Sequence, residues 1–283
     1  MSVRLANVQE RASLIVDDKV VDVERASRGR FSADPMSAIE RWEDFTQWAA
    51  GVRIGDATGA VDQAVLLAPV PRPVKVFGVG MNYRAHAEEA GMPIPATPVI
   101  FTKFPNCIVG PSSDVELLSD FVDWEVELVA VIGRGGRHIP ESTALRHVAG
   151  YCVGQDISDR KMQFADTPPQ FSMGKSCDTY GPIGPAVVSL DAFSNPDDLA
   201  ISCDLNEERV QEARTSDLIF SVAELVVFLS RYCTLTAGDL IFTGTPSGVG
   251  STRNPRRYLK AGEEIISHIE GIGTLRNRCV AQA

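Results

Sequence analysis

The sequence has no apolar run that approaches the roughly 20 residues a helix needs to cross a bilayer, so no membrane role is expected. The opening stretch MSVRLANVQERASLIVDDKV lacks the apolar centre of a signal peptide. No two cysteines form a CxxC pair. Cys107, Cys152, Cys177, Cys203, Cys233 and Cys279 are scattered, several beside apolar runs. That spacing excludes a zinc ribbon and a disulfide framework, and reads as reduced thiols in a cytoplasmic protein. Positive charge is scarce too: 27 Lys and Arg against 37 Asp and Glu give a net charge of -10. Such a surface repels phosphate backbones and anionic lipid, so no nucleic-acid partner is expected. A site for small carboxylates in this chain must bring its own local positive charge. Repeats and low-complexity tracts are absent.

Two glycine signals fail on inspection. Gly78-x-Gly80 follows a strand-like run, but Tyr83 stands where a dinucleotide fingerprint needs its third glycine. Gly174-Lys175-Ser176 resembles the end of a phosphate loop, but Pro169 occupies the upstream glycine position.

What is present is a 283-residue chain with 44% hydrophobic residues, enough for a substantial core. Short strand-like pieces at Arg4–Ala6, Ser13–Val16 and Lys19–Val23 precede a helical stretch over Met36–Ala50, where Ile39, Trp42, Phe45 and Trp48 recur every third residue. The run Pro69-Val70-Pro71-Arg72-Pro73 lacks the amide donors for helix or central strand, and reads as a linker. The expected division is a small N-terminal α+β domain, residues 1–70, and a catalytic domain, residues 71–283.

Beyond the linker, strand candidates dominate: Val74–Val79, Val99–Phe101, Trp124–Ile132, Gly150–Asp156, Ala186–Ser189, Ala200–Leu205, Asp239–Thr243 and Glu264–Ile269. The last turns at Gly271-Ile272-Gly273 into a closing hairpin over Thr274–Val280. Helical patterns are few. Arg84–Ala90 is one, and Ser221–Tyr232 is stronger, with Ser221 and Glu224 at capping-box spacing. Strands and helices do not alternate, which favours a β-rich α+β fold over a doubly wound sheet.

The most informative segment is Asp123-Trp124-Glu125-Val126-Glu127-Leu128-Val129-Ala130-Val131-Ile132. On a strand, Glu125 and Glu127 share one face, opposite Val126, Leu128, Ala130 and Ile132. Two carboxylates on one face of an apolar strand repel and lose hydration, and call for a cation. A hard divalent ion suits oxygen ligands, and Asp156 supplies a third carboxylate if its strand is a neighbour. A solvated strand end or a pair of salt bridges fits the same spacing.

At these residues the chain resembles the fumarylacetoacetate hydrolase superfamily. Gly80-Met81-Asn82-Tyr83-Arg84-Ala85-His86-Ala87-Glu88-Glu89 is similar to its GxNYxxHAxE segment, and Glu125-Val126-Glu127-Leu128 to its E-x-E-L strand. Asp156-Ile157-Ser158-Asp159-Arg160 with Gln163, Gly174-Lys175-Ser176, Thr215-Ser216-Asp217, Phe242 to Gly250 and Ile269 to Asn277 follow in the family's order.

The resemblance implies a mixed β-sandwich roll assembled at least as a homodimer. It implies Mg²⁺ or Mn²⁺, with Ca²⁺ as a crystal substitute, on Glu125, Glu127 and Asp156. His86 is the implied base, oriented by Glu89, with Lys175 as catalytic cation and substrate ligand. Arg160, Gln163, Thr245 and Tyr83 are implied substrate contacts. The implied activity is a hydrolase acting on carbon–carbon bonds in ketonic substances: cleavage of a 2,4-dioxo acid of the acylpyruvate or fumarylpyruvate type, with the developing enolate stabilised by the ion. Oxaloacetate decarboxylation, and isomerisation of 2-hydroxyhepta-2,4-diene-1,7-dioate in aromatic catabolism, are the alternatives. A catalytically silent binding protein is a third reading. His138, His147 and His268 fall outside the motifs, and Trp124 is expected to pack.

Overall fold

Every residue of the strand Val126–Ile132 is buried, because both its faces meet apolar layers. Val126, Leu128, Ala130 and Ile132 enter one core, while Val129 and Val131 enter another. The computed structural model describes residues 2–17, 19–57, 59–61 and 65–282. Among these, a sheet of twelve strands runs through the molecule. Its central order is Arg4–Val8, Gly181–Val188, Val148–Gln155, Val126–Ile132, Leu240–Phe242, Val76–Gly80 and Val99–Lys103. Most neighbours are antiparallel, but Leu240–Phe242 and Val76–Gly80 run parallel.

A second sheet of five strands is ordered Glu208–Arg214, Ala200–Leu205, Glu264–Ile269, Gly273–Ala281 and Val115–Leu117. Its inward residues Ile201, Cys203, Ile265, Ile269 and Leu275 share a core with Val126, Leu128 and Val153 of the large sheet. The helix Val222–Tyr232 closes that core with Val222, Leu225, Val226 and Leu229. Its capping box forms as expected, with the Ser221 amide donating to Glu224 Oε2 at 2.8 Å and the Glu224 amide to Ser221 Oγ at 3.3 Å. The result is a mixed α+β fold with large sheets and few helices.

The helix expected over Met36–Ala50 is two helices, Pro35–Glu40 and Trp42–Ala49, with Arg41 between them out of helical geometry. Apolar residues every third position drift around a straight helix. The break resets that drift and brings Trp42, Phe45 and Trp48 together, with Phe31 against Phe45 and Trp48. The Arg41 guanidinium covers the Phe31 ring at 4.7 Å.

The described strands of the first seventy residues all belong to the large sheet. Arg4–Val8 pairs antiparallel with Gly181–Val188, placing Leu5 opposite Val187. Val3, Leu5, Phe31 and Phe45 sit in the same core cluster as Val129, Ile183 and Phe242. The proline-rich run at 69–73 thus joins two stretches of sequence that share one sheet. The strand Glu208–Arg214 was not expected, because its charged residues hide the alternation at an exposed edge.

Candidate metal centre and active-site cavity

Register brings the three acidic residues together. Val126 lies opposite Gln155 and Glu127 opposite Gly154, so Glu125 and Asp156 meet at the strand ends. The Asp156 amide donates to the Glu125 carbonyl at 2.9 Å. One carboxylate oxygen from each of Glu125, Glu127 and Asp156 lies within 4.8 Å of the others, and all three residues are buried.

Three buried cations surround them. Lys175 Nζ donates to Glu125 Oε2, Asp156 Oδ2 and Ser158 Oγ, each at 2.7 Å. Lys103 Nζ donates to Asp156 Oδ1 at 2.7 Å and the Tyr180 carbonyl at 3.1 Å, and also contacts the Lys175 carbonyl. Arg160 reaches Glu125 Oε1 at 2.6 Å, Asp123 Oδ2 at 2.9 Å and Gln163 Oε1 at 2.9 Å. Burial raises the Glu125 carboxyl, but Lys175 and Arg160 outweigh it and bring it down to about 2.

Glu127 is treated differently. Its hydrogen bond comes from the Gly244 amide at 2.7 Å. Burial, then Asp156 and Glu125, push its carboxyl well above the ordinary range. A buried carboxylate facing two others calls for a further positive charge. An all-oxygen donor set of this kind fits a hard divalent ion such as Mg²⁺ or Mn²⁺.

Two glutamines brace the carboxylate strand from outside it. Gln155 Oε1 accepts the Glu125 amide at 2.9 Å, and its Nε2 donates to Ser267 Oγ of the second sheet at 2.8 Å. Gln211, on the edge strand of that sheet, accepts the Val126 amide at 3.0 Å and donates to Thr245 Oγ1 at 2.9 Å.

His86 stands on the short helix Arg84–Glu89, which Asn82 anchors by bonds to the Phe220 and Thr243 carbonyls at 3.0 and 2.7 Å. His86 Nδ1 faces Glu89 Oε2 at 3.4 Å. Glu89 in turn accepts the Gly248 amide at 3.0 and 3.2 Å through its two oxygens. Burial opposes ionisation of Glu89, but His86, the Gly248 amide and Thr252 together hold its pKa below the ordinary value. Gly248 has φ +103, and a Cβ there would stand 2.0 Å from the Val210 carbonyl oxygen, so the turn requires glycine.

His86, Glu125, Glu127, Arg160, Gln163, Lys175 and Thr245 all line one cavity of about 490 Å³. Tyr83 does not line it. It is buried behind the helix start, and its hydroxyl has no hydrogen-bond partner among the described residues. The Thr245 hydroxyl already donates to the Val126 carbonyl at 2.9 Å, so its role is first to brace the carboxylate strand. Trp124 is fully buried and donates to the Gly248 carbonyl at 3.2 Å, a packing residue as expected. His147 and His268 bond to Arg134 and Thr274, and neither they nor His138 line the cavity.

Sequence reasoning missed Lys103, Asp123, Ser158 and the two glutamines. It also missed the aromatic wall of the cavity, Phe101, Phe164 and Phe171. Lys103 left one signal: it shares a face with Phe101 on a strand, an inward position where a charge needs a partner.

Residues 75–280 match the family model described as fumarylacetoacetate (FAA) hydrolase, C-terminal. The chain is 44% identical over 220 residues to the Homo sapiens mitochondrial oxaloacetate tautomerase FAHD2A, covering 77% of this chain and 70% of that protein. It is similar to the solved structure of a candidate HpcE protein from Mycobacterium smegmatis, with TM-score 0.94 and 47% identity over 99% of this chain and 100% of that one. It also resembles fumarylpyruvate hydrolase from Pseudomonas aeruginosa, solved with Mn²⁺ and pyruvate, with TM-score 0.66 and 37% identity over 74% and 90% of the two chains.

Proposed function

The chain belongs to the fumarylacetoacetate hydrolase family, and from that premise we propose that it is a divalent-metal-dependent enzyme catalysing the keto–enol tautomerisation of oxaloacetate. One observation carries the reading: Glu125, Glu127 and His86 line the same cavity, with the Asp156 carboxylate grouped with the two glutamates and Glu89 against His86. The name of the 44%-identical human relative supports the choice of reaction and substrate.

Glu125, Glu127 and Asp156 would hold the ion, which supplies a Lewis acid for the carboxylate and oxo oxygens of a 2-oxo acid. His86 then has a single proton to move. Its ring nitrogen away from Glu89 takes the proton from C3, the C–H pair becomes the C2–C3 double bond, and the oxo oxygen receives the displaced pair. The imidazolium returns the proton to that oxygen, which completes the enol; the reverse sequence regenerates the ketone. Glu89 fixes the ring and stabilises its charged form, and the Gly248 amide fixes Glu89. Lys175 adds positive charge where the substrate carboxylate arrives.

The test follows enol absorbance decay after adding enolic oxaloacetate to Mn²⁺-loaded protein. Acceleration that disappears with chelator, in His86→Ala and in Glu127→Gln supports the proposal. A rate equal to the buffer control in wild type overturns it.

Hydrolysis of a 2,4-dioxo acid is a second reading, favoured by a cavity of about 490 Å³ whose lining includes residues besides the carboxylates and by the pyruvate-bound fumarylpyruvate hydrolase. There His86 would deprotonate water rather than carbon. Release of pyruvate from acetylpyruvate or fumarylpyruvate discriminates the two. The same proposal includes a homodimer and a cytoplasmic location, and the six free cysteines fit the reducing compartment it implies. It also treats residues 1–70 as an accessory region, since they precede the family match.

A further inference from the structure

The cavity has two chemically distinct ends. One holds the carboxylates, Lys175, Arg160 and His86. The other is built from Met92, Val99, Phe101, Phe164, Phe171 and Val249. Phe101 and Phe171 lie 6.0 Å apart centre to centre, and Phe164 meets Phe171 edge-on at 6.4 Å. Lys175 Nζ sits 5.2 Å from the centre of the Phe101 ring, so that ring marks the border between the ends. Phe164 and Met92 are 57% and 56% exposed, which puts the apolar end at the mouth. Apolar side chains in that position are stabilised when a ligand covers them.

Both permanently charged cations among the described lining residues, Arg160 and Lys175, are already engaged, and so is the His86 ring. Arg160 is held by Asp123, Glu125 and Gln163, Lys175 by Glu125, Asp156 and Ser158, and His86 faces Glu89. All three belong to the charged end. A carboxylate at the far end of a long substrate would therefore lie against aromatic rings that displace part of its hydration, with no free positive partner among the described lining residues to offset the loss. Oxaloacetate avoids this conflict, because its second carboxylate lies one carbon from the reacting centre. It also leaves the apolar end empty.

Resting on the 2-oxo acid reading above, we infer that the site accepts a second substrate class: 2-oxo acids that carry an uncharged, apolar extension. The Phe101–Phe171–Phe164 wall selects this class against acids of the same length with a remote carboxylate. Phe164 is the residue best placed to set that choice, since it stands at the mouth and its replacement disturbs little of the core.

Titration calorimetry of Mn²⁺-loaded protein with pyruvate, 2-oxohexanoate and 2-oxoadipate tests the inference, the last two differing at the far terminus. The extended apolar acid should bind on the order of 10- to 50-fold tighter than pyruvate, from three further carbons placed against the wall. 2-Oxoadipate should bind no tighter than pyruvate. In Phe164→Arg the order of the two long acids should reverse. If pyruvate binds but 2-oxoadipate matches or exceeds 2-oxohexanoate in wild type, the inference is overturned and the 2-oxo acid reading stands. If none of them binds, that reading falls and the inference falls with it.

Discussion

Lys103 and Lys175 hold opposite oxygens of one carboxylate, that of Asp156, each at 2.7 Å. Both ammonium groups are buried, so Asp156 cannot turn without breaking a charged bond in a medium where such bonds are strong.

Lys103 is therefore predicted to be essential to stability. Removing one partner of a buried ion pair strands the other, at a cost of about 3–5 kcal/mol. Lys103→Met should lose that much in equilibrium denaturation, and Mn²⁺ should recover part of it by replacing the missing charge. A loss below about 1 kcal/mol would show that Asp156 does not depend on Lys103.

Glu127 should behave in the opposite sense. It is buried against two other carboxylates with the Gly244 amide as its donor, so neutralising it relieves repulsion. Glu127→Gln in chelator should unfold no earlier than wild type. Wild type should gain about 2.7 kcal/mol from Mn²⁺ at a hundredfold excess over Kd, and the variant should gain little. Thermal melts with and without Mn²⁺ read both arms. Equal Mn²⁺ gains in the two proteins would remove Glu127 from the ion.

His86→Ala should lower turnover by about 10²- to 10⁴-fold, the usual contribution of a positioned acid–base group. Mn²⁺ affinity should stay near wild type, because His86 is outside the carboxylate cluster. Glu89→Gln keeps the shape but loses the charge that favours the imidazolium, and should give an intermediate loss. Full activity in His86→Ala at saturating metal would leave the carboxylates as the whole mechanism.

Gly248→Ala places a methyl group 2.0 Å from the Val210 carbonyl oxygen, on a backbone with φ +103. The turn must shift, taking with it the amide that holds Glu89. Turnover should fall nearly as far as in Glu89→Gln, with a stability loss of about 1–3 kcal/mol. Retention of both would mean that the turn is not needed to set the base.

Ser221→Ala serves as the contrasting case. It removes the capping box of Val222–Tyr232 at a residue that does not line the cavity, and should cost about 1 kcal/mol in denaturant unfolding. Kinetic constants should not change. A fall in turnover would tie that helix to the site.

The carboxylates were legible because their signal is local: two glutamates one residue apart in an apolar strand, and an aspartate at the end of the next run. The Ser221 cap was legible for the same reason. Lys103 was not, since a single lysine before Phe104-Pro105 looks like any surface charge until the fold buries it. The strand Glu208–Arg214 escaped because its outward residues face water at a sheet edge, where charge is favoured. The apolar end of the cavity is assembled from residues 92 to 249 and has no sequence-local form at all.

Gln155 and Gln211 tie the carboxylate strand to the second sheet through side-chain amides, at 2.9 Å to the Glu125 amide and 3.0 Å to the Val126 amide. Transplanting Glu125, Glu127 and Asp156 onto a different hairpin would thus carry the ligands without their scaffolding. A minimal copy of this centre needs both sheets, and a design that keeps only the acidic residues should yield a repelling cluster that splays apart.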